Sequence, residues 1–262
     1  MPASRYSQKN KLPLIRILIA AILGVAIGYY IYDKSASDEN IKGTICLVID
    51  DFGFALNETI EGFLQLDENL TLAIIPGTPY AATIGKLADS LGVETIIHMP
   101  METFDKEFET KSEFTLGEKL NISEVKSRVR LAFQEVPGAM GMNNHQGSKA
   151  TESLQLMKDL ARTLKKFDKF FLDSFTNPES RGFITMRRYG VKTELRQVFL
   201  DHVEMPDHIH AQLDSLVNLS HQMDVAIGIG HVKPVTLEVL KTEIPALQKK
   251  GYRFLTLSKV VR

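Results

Sequence analysis

The sequence predicts an α/β domain in which helices cover a parallel sheet, and three observations carry that prediction. Short apolar, β-branched runs alternate with longer stretches of helical period, chemically reactive residues gather where those runs stop, and the segment ahead of Gly43 differs in kind from the rest. The 262 residues are 44% hydrophobic, with 31 Lys+Arg against 32 Asp+Glu and a formal net charge of -1. Such a chain can bury a full core. It lacks the basic footprint of a nucleic-acid binder, so no nucleic-acid partner is expected.

In chain order, Arg5, Lys9, Lys11 and Arg16 precede the uncharged run "ILIAAILGVAIGYYIY", Ile17 to Tyr32, and the polar "DKSASDENIKG" follows. Counted from Leu12 the apolar segment reaches about 20 residues, enough to span a ~30 Å hydrocarbon layer if Arg16 snorkels toward the headgroups. Residues 1–42 are therefore expected to form a cytoplasmic tip, a transmembrane anchor over 12–32 and a short linker. The basic flank and the tyrosines at the far edge orient the anchor with the remaining chain exported from the cytoplasmic membrane. Secretion after cleavage of a signal peptide is the alternative; the length of the run and the lack of an A-x-A site directly after it favour the anchor. The single cysteine, Cys46, fits an exported domain without disulfides and reads as a small buried hydrophobe.

From Gly43 to Arg262 no linker or internal repeat interrupts the chain, which indicates one domain. Its strands are expected at "TICLVID", "LTLAIIP", "VETIIHM", "GAMGMNN", "KFFLDS", "LRQVFLD", "DVAIGIGH" and "YRFLTLS". Helices are expected at "ALNETIEGFLQL", "YAATIGKLADSLG", "ISEVKSRVRLAFQEV", "TESLQLMKDLARTLKKF", "HIHAQLDSLVNLSHQ" and "TLEVLKTEIPALQKKG". In the third of these Ile122, Val125, Val129, Ala132, Phe133 and Val136 keep a 3–4 spacing, with Ser123 as the expected cap. In the fourth, Leu154, Met157, Leu160, Ala161 and Leu164 do the same behind Thr151. The alternation fits either an open doubly wound sheet or a barrel.

The reactive residues fall at strand ends. Asp50 and Asp51 close the first strand, His98 the third, Asn143, Asn144 and His145 the fourth, Asp173 and Ser174 the fifth, Asp201 and His202 the sixth, and His231 the seventh. In parallel α/β folds, and most strictly in barrels, carboxyl strand ends share one face and hold the active site. His208, His210 and His221 fall on a helical stretch and read as surface residues. Imidazoles plus a carboxylate suit zinc and several other first-row divalent ions, so a metal site is expected. Because strand side chains alternate, Asp50 and Asp51 cannot both point inward from a regular strand; Gly53 lets the chain bend there.

The stretches "TICLVIDDFG", "TLAIIPGTPYA", "GVETIIHMPME", "GMNNHQGSKAT", "KFFLDSFT", "RQVFLD" and "VAIGIGHVKPVTLEVL" together resemble the successive motifs of the divergent polysaccharide deacetylase family. The resemblance runs from about Gly43 to the C-terminus and implies a distorted, incomplete (β/α) barrel with a metal-dependent activity. It implies Asp50 as general base, His231 as general acid, and Asp51, His98 and His145 as ligands of a divalent metal, zinc by type. Asn144, Asp173 and Asp201 are candidates for substrate contact or for support of the ligands, with helix capping the competing role of Asp173. Two departures stand out. Ordinary deacetylases carry both metal histidines in one short H-x-x-x-H-like motif, whereas the next histidine after His98 is His145, and their arginine motif is not recognisable near "DSFT".

The expected function is that of an exported, membrane-anchored, metal-dependent deacetylase acting on an N-acetylated cell-envelope saccharide. Two alternatives stay open: a non-catalytic envelope protein that binds a glycan or partner through a retained barrel, and a metal-dependent hydrolase of another bond.

Overall fold

The computed structural model describes residues 41–107, 110 and 112–262, with Ile19 and Gly24 besides. The anchor expected over 12–32 otherwise lies outside the described residues, among which no helix is long and apolar enough to cross a membrane. The chain divides into Met1–Ile41 and Lys42–Arg262, and the second unit carries every strand described.

The apolar runs become β1 (Gly43–Phe52), β2 (Thr71–Ile74), β3 (Glu94–Met101), β4 (Gly141–Gln146), β5 (Phe170–Asp173), β6 (Thr193–Leu195), β7 (Val198–Phe199), β8 (Ala226–His231) and β9 (Tyr252–Phe254). Between them lie α1 (Glu58–Leu64), α2 (Ala81–Leu91), α3 (Ile122–Glu135), α4 (Leu154–Phe167), α5 (Gly182–Tyr189), α6 (Pro206–Ser220) and α7 (Pro234–Lys249). Every strand pairing is parallel, in the order β6-β5-β4-β3-β2-β1-β8-β7, with β9 beside the first residues of β1.

That order decides between open sheet and barrel. β6 and β7 stand at opposite ends of the path, yet only Arg196 and Gln197 separate them in the chain. On a flat sheet those ends would be about 33 Å apart at ~4.7 Å per strand. Three peptide steps reach only about 11 Å. The sheet must therefore curl until its edges meet. Among the described residues no ladder joins β6 to β7; Gln197, in the link between them, is docked on β8, where its N–H donates to Ile227 O (3.0 Å) and its Oε1 accepts from Ile227 N–H (2.7 Å). The result is an incomplete parallel α/β barrel.

Alternation along the strands then sorts the core. Ile45, Leu47 and Ile49 face the helices, where they pack with Phe52, Phe63, Leu72 and Leu240. Cys46 and Val48 face inward and pack with Ala73, Ile96, Leu172, Ile227 and Ile229, over a floor of Leu257, Val260 and Val261. Continuing each inward file by two residues leads from Val48 to Asp50, from Ile96 to His98, and from Ile229 to His231. The barrel interior is thus apolar below and ionisable at the carboxyl ends of its strands.

Local chemistry sets the element boundaries. The α3 cap is Asn121 rather than the expected Ser123: its side chain accepts from the N–H groups of Ser123 and Glu124, and Glu124 reaches back to the Asn121 N–H, a capping box. Likewise Ser153 caps α4, while the buried Thr151 hydroxyl donates to Gly147 O. The expected strand "LRQVFLD" divides into β6 and β7 because Arg196 and Gln197 cross the seam. Helix α5, unexpected from the sequence, follows a loop that Asp173 ties down.

Candidate metal centre

Two adjacent carboxylates reach the mouth through a break in β1. Its register against β2 shifts between Ile49 and Phe52, and Asp51 sits in the left-handed region at φ 72°. Gly53 follows at φ 129°, where a Cβ would stand 2.0 Å from Thr78 Oγ1. Gln146 and Phe175, non-glycine residues also at positive φ, flank His145 and Ser174. Backbone strain of this kind persists where surrounding bonds over-determine it. Here Gln146 O accepts from Asn144 Nδ2 and Thr176 Oγ1, and Phe175 O accepts from Arg196.

Asp51 Oδ1, His98 Nε2 and His145 Nδ1 form a triangle with edges of 3.2, 3.0 and 3.1 Å. Three ligands bound at about 2.0–2.2 Å to one ion in tetrahedral or octahedral geometry lie about 3.0–3.5 Å apart, so the triangle fits a first-row divalent cation. Asp51 Oδ1 is buried and faces the two imidazole nitrogens, the third corner of a metal-ligand set. The far nitrogens are supported: His98 Nδ1 meets Asn143 Oδ1 at 2.7 Å and His145 Nε2 meets Thr110 Oγ1 at 3.0 Å. Among the described residues this is the one group of three or more such side chains with metal-ligand spacing.

Around the triangle stand the other ionisable groups. Asp50, 3% exposed, lies 3.6 Å from His98 Nε2 and accepts from Asn143 Nδ2 at 2.8 Å. Burial raises its carboxyl above the usual carboxylate range against the pull of His98 and His231. For Asp51 burial also acts upward, but hydrogen bonding to His145 and His98 outweighs it and holds the carboxyl well below that range. Burial alone would lower His98; Asp50 and Asp51 prevail and push it up to about 9. His231 Nε2 lies 4.0 Å from Asp51 Oδ2, and its Nδ1 meets Asp201 Oδ1 at 2.7 Å. Burial works to lower His231, but Asp201 overrides it and raises the pKa. The second Asp201 oxygen accepts from the His231 N–H and the Thr236 hydroxyl, which fixes the pair.

These residues line a cavity of about 160 Å³, walled also by Asn144, Ser174, Arg196, Phe199 and Ile229. A larger cavity of about 450 Å³ opens elsewhere, beside Glu68, Glu94, Thr95 and Lys259, but gathers no comparable ligand set among the described residues. Of the eight residues singled out from sequence, Asp50, Asp51, His98, Asn144, His145 and His231 share the small cavity, and Asp201 stands behind His231. The Asn144 amide is engaged by Gln146 O and Ser174 N–H. Asp173 is turned to the α5 loop, accepting from Phe175 N–H, the Ser180 hydroxyl and Phe183 N–H, which is the capping role. His202 pairs with His208 at 3.2 Å away from the cavity lining.

Sequence reasoning passed over Arg196 and gave Asn143, noted at the end of the fourth strand, no role. Arg196 enters the cavity from the barrel seam, its guanidinium 5.0 Å over Phe199 and donating to Ser174 O and Phe175 O. Asn143, fully buried, touches both Asp50 and His98. Exposed Phe54, Tyr80 and Phe104, on the segments after β1, β2 and β3, form no continuous run in the sequence.

The model of the family described as divergent polysaccharide deacetylase matches residues 47–261, the barrel without the first residues of β1. The chain belongs to that family. The Escherichia coli (strain K12) protein YibQ is 32% identical over 201 residues, which are 77% of this chain and 62% of YibQ. Among solved structures, ATU2773 from Agrobacterium tumefaciens C58 superposes with a TM-score of 0.79 at 15% identity, covering 86% of this chain and 94% of that one. BA3943 from Bacillus anthracis, a CE4 family pseudoenzyme, gives a TM-score of 0.51 at 13% identity, covering 84% of this chain and 65% of that one. At these identities the structural likenesses are likenesses of fold: a parallel α/β half-barrel shared with CE4 proteins.

Proposed function

We propose that this divergent deacetylase-family protein is a metal-dependent deacetylase of an N-acetylated cell-envelope saccharide, tethered to the outer side of the cytoplasmic membrane by residues 12–32. The observation that carries the reading is the Asp51–His98–His145 triangle, flanked by one carboxylate and one carboxylate-held histidine. Zinc, or a similar divalent ion, is the group those donors suit.

Asp51, His98 and His145 would hold the ion, which when bound polarises an acyl carbonyl and lowers the pKa of water to about 7. Asp50, buried beside the triangle, accepts the proton of the attacking water. His231 donates a proton to the departing amine, and Asp201 keeps its Nδ1–H in place so that Nε2 faces the cavity. The apolar wall of Phe199 and Ile229 receives the acetyl methyl and excludes water. At about 160 Å³ the cavity takes the acetamido arm while the sugar rings lie outside, where exposed Phe54, Tyr80 and Phe104 offer faces for stacking.

BA3943 is described as a pseudoenzyme, and a mutant of it as having restored activity. Activity must therefore be measured for this chain. Acetate release from N-acetylated oligosaccharides by the zinc-supplemented full chain, abolished by a chelator and restored by zinc, is the expected result. Zinc binding without release across peptidoglycan and chitin fragments would leave a glycan-binding protein.

A further inference from the structure

The amide of Asn143 has two chemically different ends, and both are committed. Its Nδ2 can only donate and lies 2.8 Å from Asp50 Oδ1; its Oδ1 can only accept and lies 2.7 Å from His98 Nδ1. Turning the amide over would set oxygen against the Asp50 carboxylate and leave two donors facing each other at His98 whenever Nδ1 carries its proton. The side chain is completely buried, so no water can substitute for either partner. Its place follows from the topology. Asn143 lies opposite His98 in the β3–β4 register, whereas Asp50 belongs to β1, reached across the interior only because the sheet curls.

From this we infer that Asn143 is a positioning residue that couples the proposed base to the proposed metal ligand. Asp50 Oδ1, accepting from Asn143 Nδ2 at 2.8 Å, fixes the orientation of the amide. The amide then requires a proton on His98 Nδ1. With Nδ1 so engaged, Nε2 is the nitrogen left to ligate, and it is the atom that stands 3.2 Å from Asp51 Oδ1 and 3.1 Å from His145 Nδ1. One side chain thus sets the tautomer of a ligand and the place of the base. An aspartate could serve the first task but not the second, because its carboxylate would oppose that of Asp50.

The inference rests on the metal-dependent reading above, and its test separates the two. Zinc affinity of the full chain is measured by competition with a chromogenic chelator, alongside acetate release, for the wild type, Asn143→Ala and Asn143→Asp. Loss of a group that orients a ligating histidine should weaken zinc binding about 10- to 100-fold in Asn143→Ala. Asn143→Asp keeps an acceptor for His98 Nδ1–H and should hold zinc like the wild type, yet lose turnover by about tenfold or more because the base is displaced. Zinc affinity unchanged in Asn143→Ala, or lost equally in both variants, overturns the inference. Should either variant fail to fold, a long-range ¹H–¹⁵N spectrum of the zinc-loaded wild type decides: protonated Nδ1 and metal-bound Nε2 on His98 support it, and the reverse overturns it. A wild type that neither binds zinc nor releases acetate removes the proposed function and this inference with it; a working wild type with indifferent variants removes the inference alone.

Discussion

Replacing Asp50 by Asn changes one atom of a side chain that is 3% exposed and surrounded by the site's own groups. The amide oxygen can still accept from Asn143 Nδ2, so the local shape survives, but the group can no longer take a proton. General-base removal costs about 10²- to 10⁴-fold in rate. At 1.36 kcal/mol per decade that is about 3–5 kcal/mol of barrier. Stability should move the other way. Burial raises the folded-state pKa of Asp50 above its unfolded value, so between those values the folded chain binds more protons and stability falls as pH rises. The buried carboxyl therefore costs stability as pH rises, and the amide, which does not titrate, removes that cost. The assay is acetate release with zinc content and thermal unfolding measured on the same preparations. Retained zinc, an unchanged or higher Tm and a kcat lower by at least about a hundredfold are expected. Wild-type turnover in this variant would refute the assignment of the base, and loss of zinc would refute the separation of base from ligands.

Other consequences are as specific. Asp51→Ala, His98→Ala and His145→Ala should each abolish stoichiometric zinc binding in a folded chain, read by elemental analysis; unchanged stoichiometry in all three would end the ligand assignment. Asp201→Asn should lower the pKa of His231, so the alkaline limb of the kcat profile moves to lower pH; in the unaltered protein the stabilisation from this pair is complete below about pH 6.5 and is lost as pH rises through the raised His231 value. Gly53→Ala puts a Cβ 2.0 Å from Thr78 Oγ1 at φ 129° and should cost about 1–3 kcal/mol in chemical denaturation; no change would mean that the bend at the end of β1 is not constrained. Ser174→Ala removes a buried hydroxyl with no hydrogen-bond partner among the described residues, so thermal unfolding should show an equal or higher Tm, and a fall would mean that the hydroxyl is bonded.

Much of this arrangement was legible in the sequence because period two and period 3.6 are local properties. Ile227–Ile229–His231 alternates with Ala226, Gly228 and Gly230, β1 reads as a continuous apolar run, and the ionisable residue at the end of each marks the mouth. Features that depend on curvature were not legible. Whether Asn143 faces Asp50 is decided by how far β4 curls toward β1, and the entry of Arg196 is decided by the seam between β6 and β7. No spacing in one strand encodes either. Asp173 shows the opposite limit: a strand-end carboxylate looks the same in sequence whether it turns to a cavity or, as here, to Ser180 and Phe183. Similarly, Asn121 and Ser123 are both acceptable caps until the reciprocal bond from Glu124 chooses the first.

The most direct test of the proposed chemistry is the zinc content of the full chain purified without chelators, measured together with acetate release from N-acetylated glycan fragments. About one ion per chain, with release that vanishes on chelation and in Asp51→Ala, is the predicted result. A chain that binds no divalent metal, or that releases acetate equally well without one, would contradict it.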